Sequence, residues 1–139
     1  MCSSDLGRNT DGLVFTVKGV PGGFTLGRGY AVGCQTDWAT AVDLDGDGHP
    51  DVALAARATP GGVVLLRNRG DGTFDDPVRI ALERETRCVQ AVDFDGDGRP
   101  DLVLANAGSG GLTVLRNLGG MQFARIADTR LNQIGRAHV

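Results

Sequence analysis

Much of what would mark this chain as an enzyme, a membrane protein or a disulfide-stapled module is scarce. Three cysteines, Cys2, Cys34 and Cys88, are too few for a disulfide framework. Cys34 and Cys88 remain either one pair in an oxidising compartment or two small buried apolar residues. His49 is the only internal histidine, and neither a partner nucleophile nor a zinc-type cluster accompanies it. No apolar run approaches the roughly 20 residues needed to cross a bilayer, so no direct membrane insertion is expected of this segment. No helical apolar period competes with the short runs described below. The net formal charge is only −3, which indicates neither a nucleic-acid surface nor an acidic tail.

What the chain has instead is aspartate and glycine, placed twice in the same way. Ala41 to Ala55 reads AVDLDGDGHPDVALA and Ala91 to Ala105 reads AVDFDGDGRPDLVLA. Counting from Asp43, carboxylates fall at positions 1, 3, 5 and 9 (Asp43, Asp45, Asp47, Asp51), with Gly48 at position 6 and the backbone carbonyl of His49 at position 7. Asp93, Asp95, Asp97 and Asp101 repeat the pattern, with Gly98 and the carbonyl of Arg99. Calcium takes six to eight oxygens at about 2.3–2.6 Å, and the helical calcium loop also draws on positions 1, 3, 5 and 7 with glycine at 6. Ordinary turns are rich in Asp and Gly for local backbone reasons. A turn does not need four carboxylates within nine residues, which repel one another unless something neutralises them. Two calcium sites are therefore expected; magnesium fits less well, because it demands a tight octahedron and keeps several waters.

The second half of each loop departs from the helical calcium hand. Position 12 is Leu54 or Leu104 and not glutamate, so closure falls to Asp51 or Asp101. The apolar runs that follow, Val52–Ala55 and Leu102–Ala105, read as buried strands. The same feature argues against tandem dockerin-like loops, which precede amphipathic helices. The two loops hold eight of the 17 acidic side chains, so the rest of the chain is mildly basic and its acidity is concentrated where the cations would sit.

The repeat extends past the loops. Asp43 and Asp93 are 50 residues apart, and each loop is followed by a glycine turn and then VVLLRN (Val63 to Asn68) or LTVLRN (Leu112 to Asn117). Phe74 and Phe123 are 49 apart, and Phe24 lies 50 before Phe74. A third, degenerate copy follows from that last match, with Gly12 to Val17 in the place of the LRN strands. Each unit predicts four strands: one ending at the loop (Thr40 to Asp43; Gln90 to Asp93), one after it, the LRN strand, and one such as Val78 to Leu82. Units of this length with four strands and glycine-rich turns are the signature of propeller blades. The fold expected is all-β: a partial β-propeller of about two and a half four-stranded antiparallel blades. The blades are a degenerate one at 7–38, one at 39–87 with its loop at 43–51, and one at 88–132 with its loop at 93–101.

The pattern D-x-D-G-D-G-x-x-D followed by a strand, then L-x-N and Gly70-Asp71-Gly72-Thr73-Phe74, resembles the FG-GAP/VCBS repeat family, the blades of integrin-alpha-like β-propellers. The literal FG-GAP tetrapeptides are missing and the first copy is degenerate. The resemblance implies that the eight loop aspartates are calcium ligands, with His49 and Arg99 contributing backbone carbonyls. It also implies an extracellular or cell-surface setting, structural calcium, no catalysis, and recognition of a protein or glycan at the propeller rim. The rival reading makes these blades part of, or a module attached to, a secreted enzyme such as a polysaccharide lyase or phosphodiesterase.

Other candidates have plainer readings. Arg69-Gly70-Asp71 spells an integrin-recognised tripeptide but occupies a hairpin turn. Glu83 and Glu85 mimic a carboxylate pair but read as a solvated strand end near Arg84 and Arg87. Tyr30 and Trp38 suggest a sugar-stacking platform, although Trp38 reads better as packing between blades. The His49 imidazole is expected to point into solvent. Residues 2–6 and 133–138 fit no blade, and their back-translations are reverse complements through AGATCGGAAGAGCA. Residues 1–6 and 133–139 are therefore expected to be sequencing-adapter read-through, foreign to the biological protein.

Overall fold

The computed structural model of the chain describes residues 2–3, 12–108 and 110–129, and among these every regular element is a strand. The first sheet orders β1 (Cys2–Ser3), β2 (Leu13–Val20) and β3 (Gly23–Ala31). The second is a four-stranded antiparallel meander of β4 (Gln35–Val42), β5 (Asp51–Arg57), β6 (Gly61–Leu66) and β7 (Val78–Leu82). The third repeats it with β8 (Thr86–Val92), β9 (Asp101–Asn106), β10 (Leu112–Gly119) and β11 (Gln122–Thr129). The all-β expectation and the antiparallel four-strand unit are both met, and strands rather than helices follow the acidic loops. The degenerate copy supplies the hairpin β2–β3, with Phe24 in its second strand. Of the segments assigned to adapter sequence, 133–139 lie outside the described residues, and of 1–6 only the Cys2–Ser3 backbone is described, paired with Leu13 and Val14.

Two strands start earlier than the apolar pattern indicates. β4 begins at Gln35 and β8 at Thr86, ahead of the expected starts at Thr40 and Gln90 and of the expected blade boundaries at 39 and 88. The added residues begin with polar ones, Gln35 to Asp37 and Thr86 to Arg87, and the register slips within each, between Thr36 and Ala39 and between Thr86 and Cys88. Such bulges break strict alternation, so period 2 fails as a signal there.

β5 and β6 are buried on both faces, which is why they read as continuous apolar runs and not as alternating ones. Ala53, Ala55, Val63 and Leu65 face the third sheet and join Val89, Leu102, Leu104 and Leu115 in one core. Leu54, Ala56, Val64 and Leu66 face the other way, onto Tyr30, Val32 and Cys34. Successive sheets thus stack face to face, with β8 lying over β4 and β5. Close approach fixes one glycine in particular: a Cβ at Gly61 would stand 1.7 Å from the Arg84 carbonyl oxygen.

The aromatic expectations need correction. Tyr30 is buried and meets Phe74 edge to face at 5.8 Å, so it joins sheets and cannot stack a sugar. Trp38, expected to pack between blades, is 46% exposed beside the β4 bulge. Cys34 is buried in the second core and Cys88 is half-buried.

Candidate metal centres

Each acidic loop is the connection of a hairpin, closed by the pairs Val42↔Asp51 and Val92↔Asp101. Its shape follows from glycines with left-handed backbone. Gly46 (φ 81°) and Gly48 (φ 86°), and likewise Gly96 (75°) and Gly98 (84°), adopt dihedrals that a side chain would resist. The chain thereby wraps its amides around the first aspartate. Oδ1 of Asp43 accepts from the amides of Gly46 (2.8 Å) and Asp47 (3.2 Å), and Oδ2 from Gly48 (2.8 Å). Asp93 takes the same three bonds from Gly96, Asp97 and Gly98. Asp45 accepts from the Asp47 amide, Asp47 from His49, Asp95 from Asp97, and Asp97 from Arg99.

The closing aspartates are of another kind. Asp51 is fully buried; its Oδ2 accepts from the Leu44 amide and its Oδ1 from the Asn68 amide, both at 2.8 Å. Asp101 holds the amides of Phe94 and Asn117 identically. Each carboxylate ties the start of its loop to the end of the LRN strand.

Carboxylate oxygens of Asp43, Asp45 and Asp47 lie within 4.8 Å of one another, as do those of Asp93, Asp95 and Asp101. Of the expected ligand aspartates, the first cluster omits Asp51 and the second omits Asp97. Clusters of hard, anionic oxygens with little competing nitrogen or sulfur suit calcium, and the residues present fit that ion. His49 and Arg99 are exposed at the loop edge. His49 is solvent-exposed, as expected, and its imidazole also lies beside Gly70, where a Cβ would come 2.5 Å from Nε2. Arg99 passes near Gly119 more loosely, with Nη1 3.4 Å from where a Cβ would stand.

Residues that the sequence pattern did not single out complete the loops. Arg67 Nε donates to Asp45 Oδ2, and its Nη2 lies 3.5 Å from Asp47; Arg116 Nε lies 2.7 Å from Asp95 Oδ2. Asn68 Nδ2 donates to the Pro50 carbonyl. Asn117, which is buried where Asn68 is only half-buried, donates to the carbonyls of Pro100 (3.0 Å) and, across to the second sheet, Leu44 (2.7 Å). The signal for all four was the repeated LRN itself. Burial alone would raise the Asp45 carboxyl, but the Arg67 hydrogen bond, the Asp47 amide and the Arg67 charge outweigh it and hold it below the usual range. Asp51 goes the other way: burial raises it, and the charges of Asp45 and Asp47 add to that against two backbone hydrogen bonds.

The remaining candidates resolve into structure. Arg69-Gly70-Asp71 forms the turn between Asn68 and Phe74, with Asn68 Oδ1 accepting from Gly70 and Asp71 Oδ1 from Thr73. Glu83 pairs with Arg125, whereas Glu85 pairs with Arg57 and Arg87. They belong to separate ion pairs at a strand end.

Stacked antiparallel sheets, of which the two four-stranded ones each carry an equivalent acidic hairpin loop, define a tandem β-repeat protein with loop-borne candidate cation sites. The chain belongs to the FG-GAP-like repeat family, whose model matches residues 43–104 and again 93–139. No curated protein and no solved structure matches the chain. Among the described residues no helix is long and apolar enough to cross a membrane.

Proposed function

We propose that this chain is a calcium-binding β-propeller segment of an extracellular or cell-surface protein. In this reading calcium is structural, the segment is not catalytic, and recognition of a protein or glycan occurs at the rim. The observation that carries the reading is the recurrence of one device: at the same corner of two successive sheets, a glycine-shaped hairpin loop gathers three carboxylate oxygens within 4.8 Å. Calcium at such loops would be held by Asp43, Asp45, Asp47 and Asp51, and by Asp93, Asp95, Asp97 and Asp101, with the carbonyls of His49 and Arg99. Its contribution would be to neutralise mutually repelling side chains and fix the link between the first two strands of a blade. Millimolar extracellular calcium matches modular sites with dissociation constants of about 10⁻⁴–10⁻³ M. Stacking of successive sheets through their apolar faces supports the propeller, because each sheet leaves a face that only another sheet covers. The placement of His49 over Gly70 supports a packing role for that side chain and not a catalytic one.

The deciding measurement is calorimetric titration of the full chain with calcium chloride, alongside thermal melts in calcium and in EDTA. Uptake of two ions with a rise in melting temperature is expected. Asp45→Ala should weaken one site and Asp95→Ala the other, with His49→Ala close to the parent. A folded chain that takes up no calcium refutes the reading.

A further inference from the structure

We propose that Arg67 and Arg116 are resident counter-cations of the two acidic loops: they hold the loops together without metal and, by opposing it, lower the affinity for the divalent ion. The inference rests on the calcium reading above.

The two arginines are equivalent in the repeat, 49 residues apart in LRN. Each reaches the third-position carboxylate of its own loop, Arg67 to Asp45 and Arg116 to Asp95 at 2.7 Å. The Asp45 side chain is only 6% exposed, so it has little water to solvate its charge. A guanidinium answers that need better than an ammonium, because it is always ionised, weakly hydrated and able to span neighbouring carboxylates. Arg67 does span them, with Asp47 at 3.5 Å and Asp75 at 3.7 Å. Asp75 has no counterpart in the next repeat, where Ala124 stands, so Arg116 serves its loop more simply.

The same positive charge acts oppositely on the two states of a loop. Without metal it offsets repulsion among four carboxylates. With a divalent ion among those oxygens it is a like charge a few ångströms away, and Coulomb repulsion raises the energy of the bound state. A residue that merely props the loop open would support folding and metal binding together. A counter-cation supports the first and opposes the second.

The test uses the full chain, with the Gly48 and Gly98 amide resonances reporting each loop separately during calcium chloride titration. Arg67→Gln is expected to tighten binding at 43–51 on the order of tenfold, as for a unit charge near a divalent ion at a solvated site. It should leave 93–101 unchanged and lower the melting temperature in EDTA by a few degrees. Arg116→Gln should do the mirror image, which gives an independent comparison in the other repeat. Arg67→Lys keeps the charge and should leave affinity within about twofold. Affinity unchanged or weakened in both glutamine variants overturns the inference while the metal sites stand. A parent chain that binds no calcium removes both.

Discussion

Aspartates at one spacing carry two different tasks in each loop. Asp51 is sealed from water and spends both oxygens on the amides of Leu44 and Asn68. Buried amides need acceptors, and here the carboxylate stands in for a strand partner. Asp45 instead faces the solvent-exposed Arg67, which keeps Asp47 and Asp75 as partners when Asp45 is removed. Asp51→Ala should therefore destabilise the metal-free chain by about 2–4 kcal/mol, through loss of two charge-assisted bonds and the stranding of their donors. Asp45→Ala should cost less than about 1 kcal/mol under the same conditions. Urea unfolding in EDTA separates them, and equal losses would contradict the division. The spacing that gathers the carboxylates was legible in the sequence. The capping role was not, because it depends on which amides the fold leaves unpaired.

Elements were legible where their pattern was local. Val78 to Leu82 forms a strand with the expected bounds, and the apolar runs after each loop become β5 and β9. β4 and β8 were seen only in part because a bulge interrupts each. That bulge also bears on Trp38: an extra residue in a strand turns later side chains to the other face. Tyr30 on β3 holds the first sheet to the second instead. Its hydroxyl accepts from the Phe74 amide at 2.7 Å, and its ring packs on Phe74. Tyr30→Phe keeps the ring and removes the acceptor, so a loss of about 1–3 kcal/mol is expected. Hydrogen exchange should show faster opening at Phe74, and unchanged protection there would assign the bond no weight.

The molecule as a whole is a stack in which each sheet touches its neighbours, so stability is shared between sheets and the joints between them. One joint is apolar, from Ala53, Val63 and Leu65 to Val89 and Leu104. A narrow polar crossing reinforces that same joint between the second and third sheets. Asn117 crosses from the third sheet to the Leu44 carbonyl of the first acidic loop, while its own Oδ1 accepts from the Gly119 amide. Asn117→Ala would strand several buried groups at once, and a loss of about 2–4 kcal/mol is expected. Because the bond reaches the other loop, amide exchange around Leu44 should quicken as well as that around Pro100. Quickening confined to the third sheet would contradict coupling through Asn117.

The period, the strand character of each unit and the acidic hairpin loops can all be read along the chain. These are local matters of turn chemistry, carboxylate spacing and apolar runs. Tertiary structure alone decided which face of β5 meets which neighbour, that Tyr30 and not Trp38 is buried between sheets, and that the LRN arginines and asparagines serve the loops. Those outcomes depend on groups far apart along the chain, such as Asn117 and Leu44 at a separation of 73 residues, meeting only when sheets stack. No local preference encodes a contact whose partner the chain supplies a repeat and a half away.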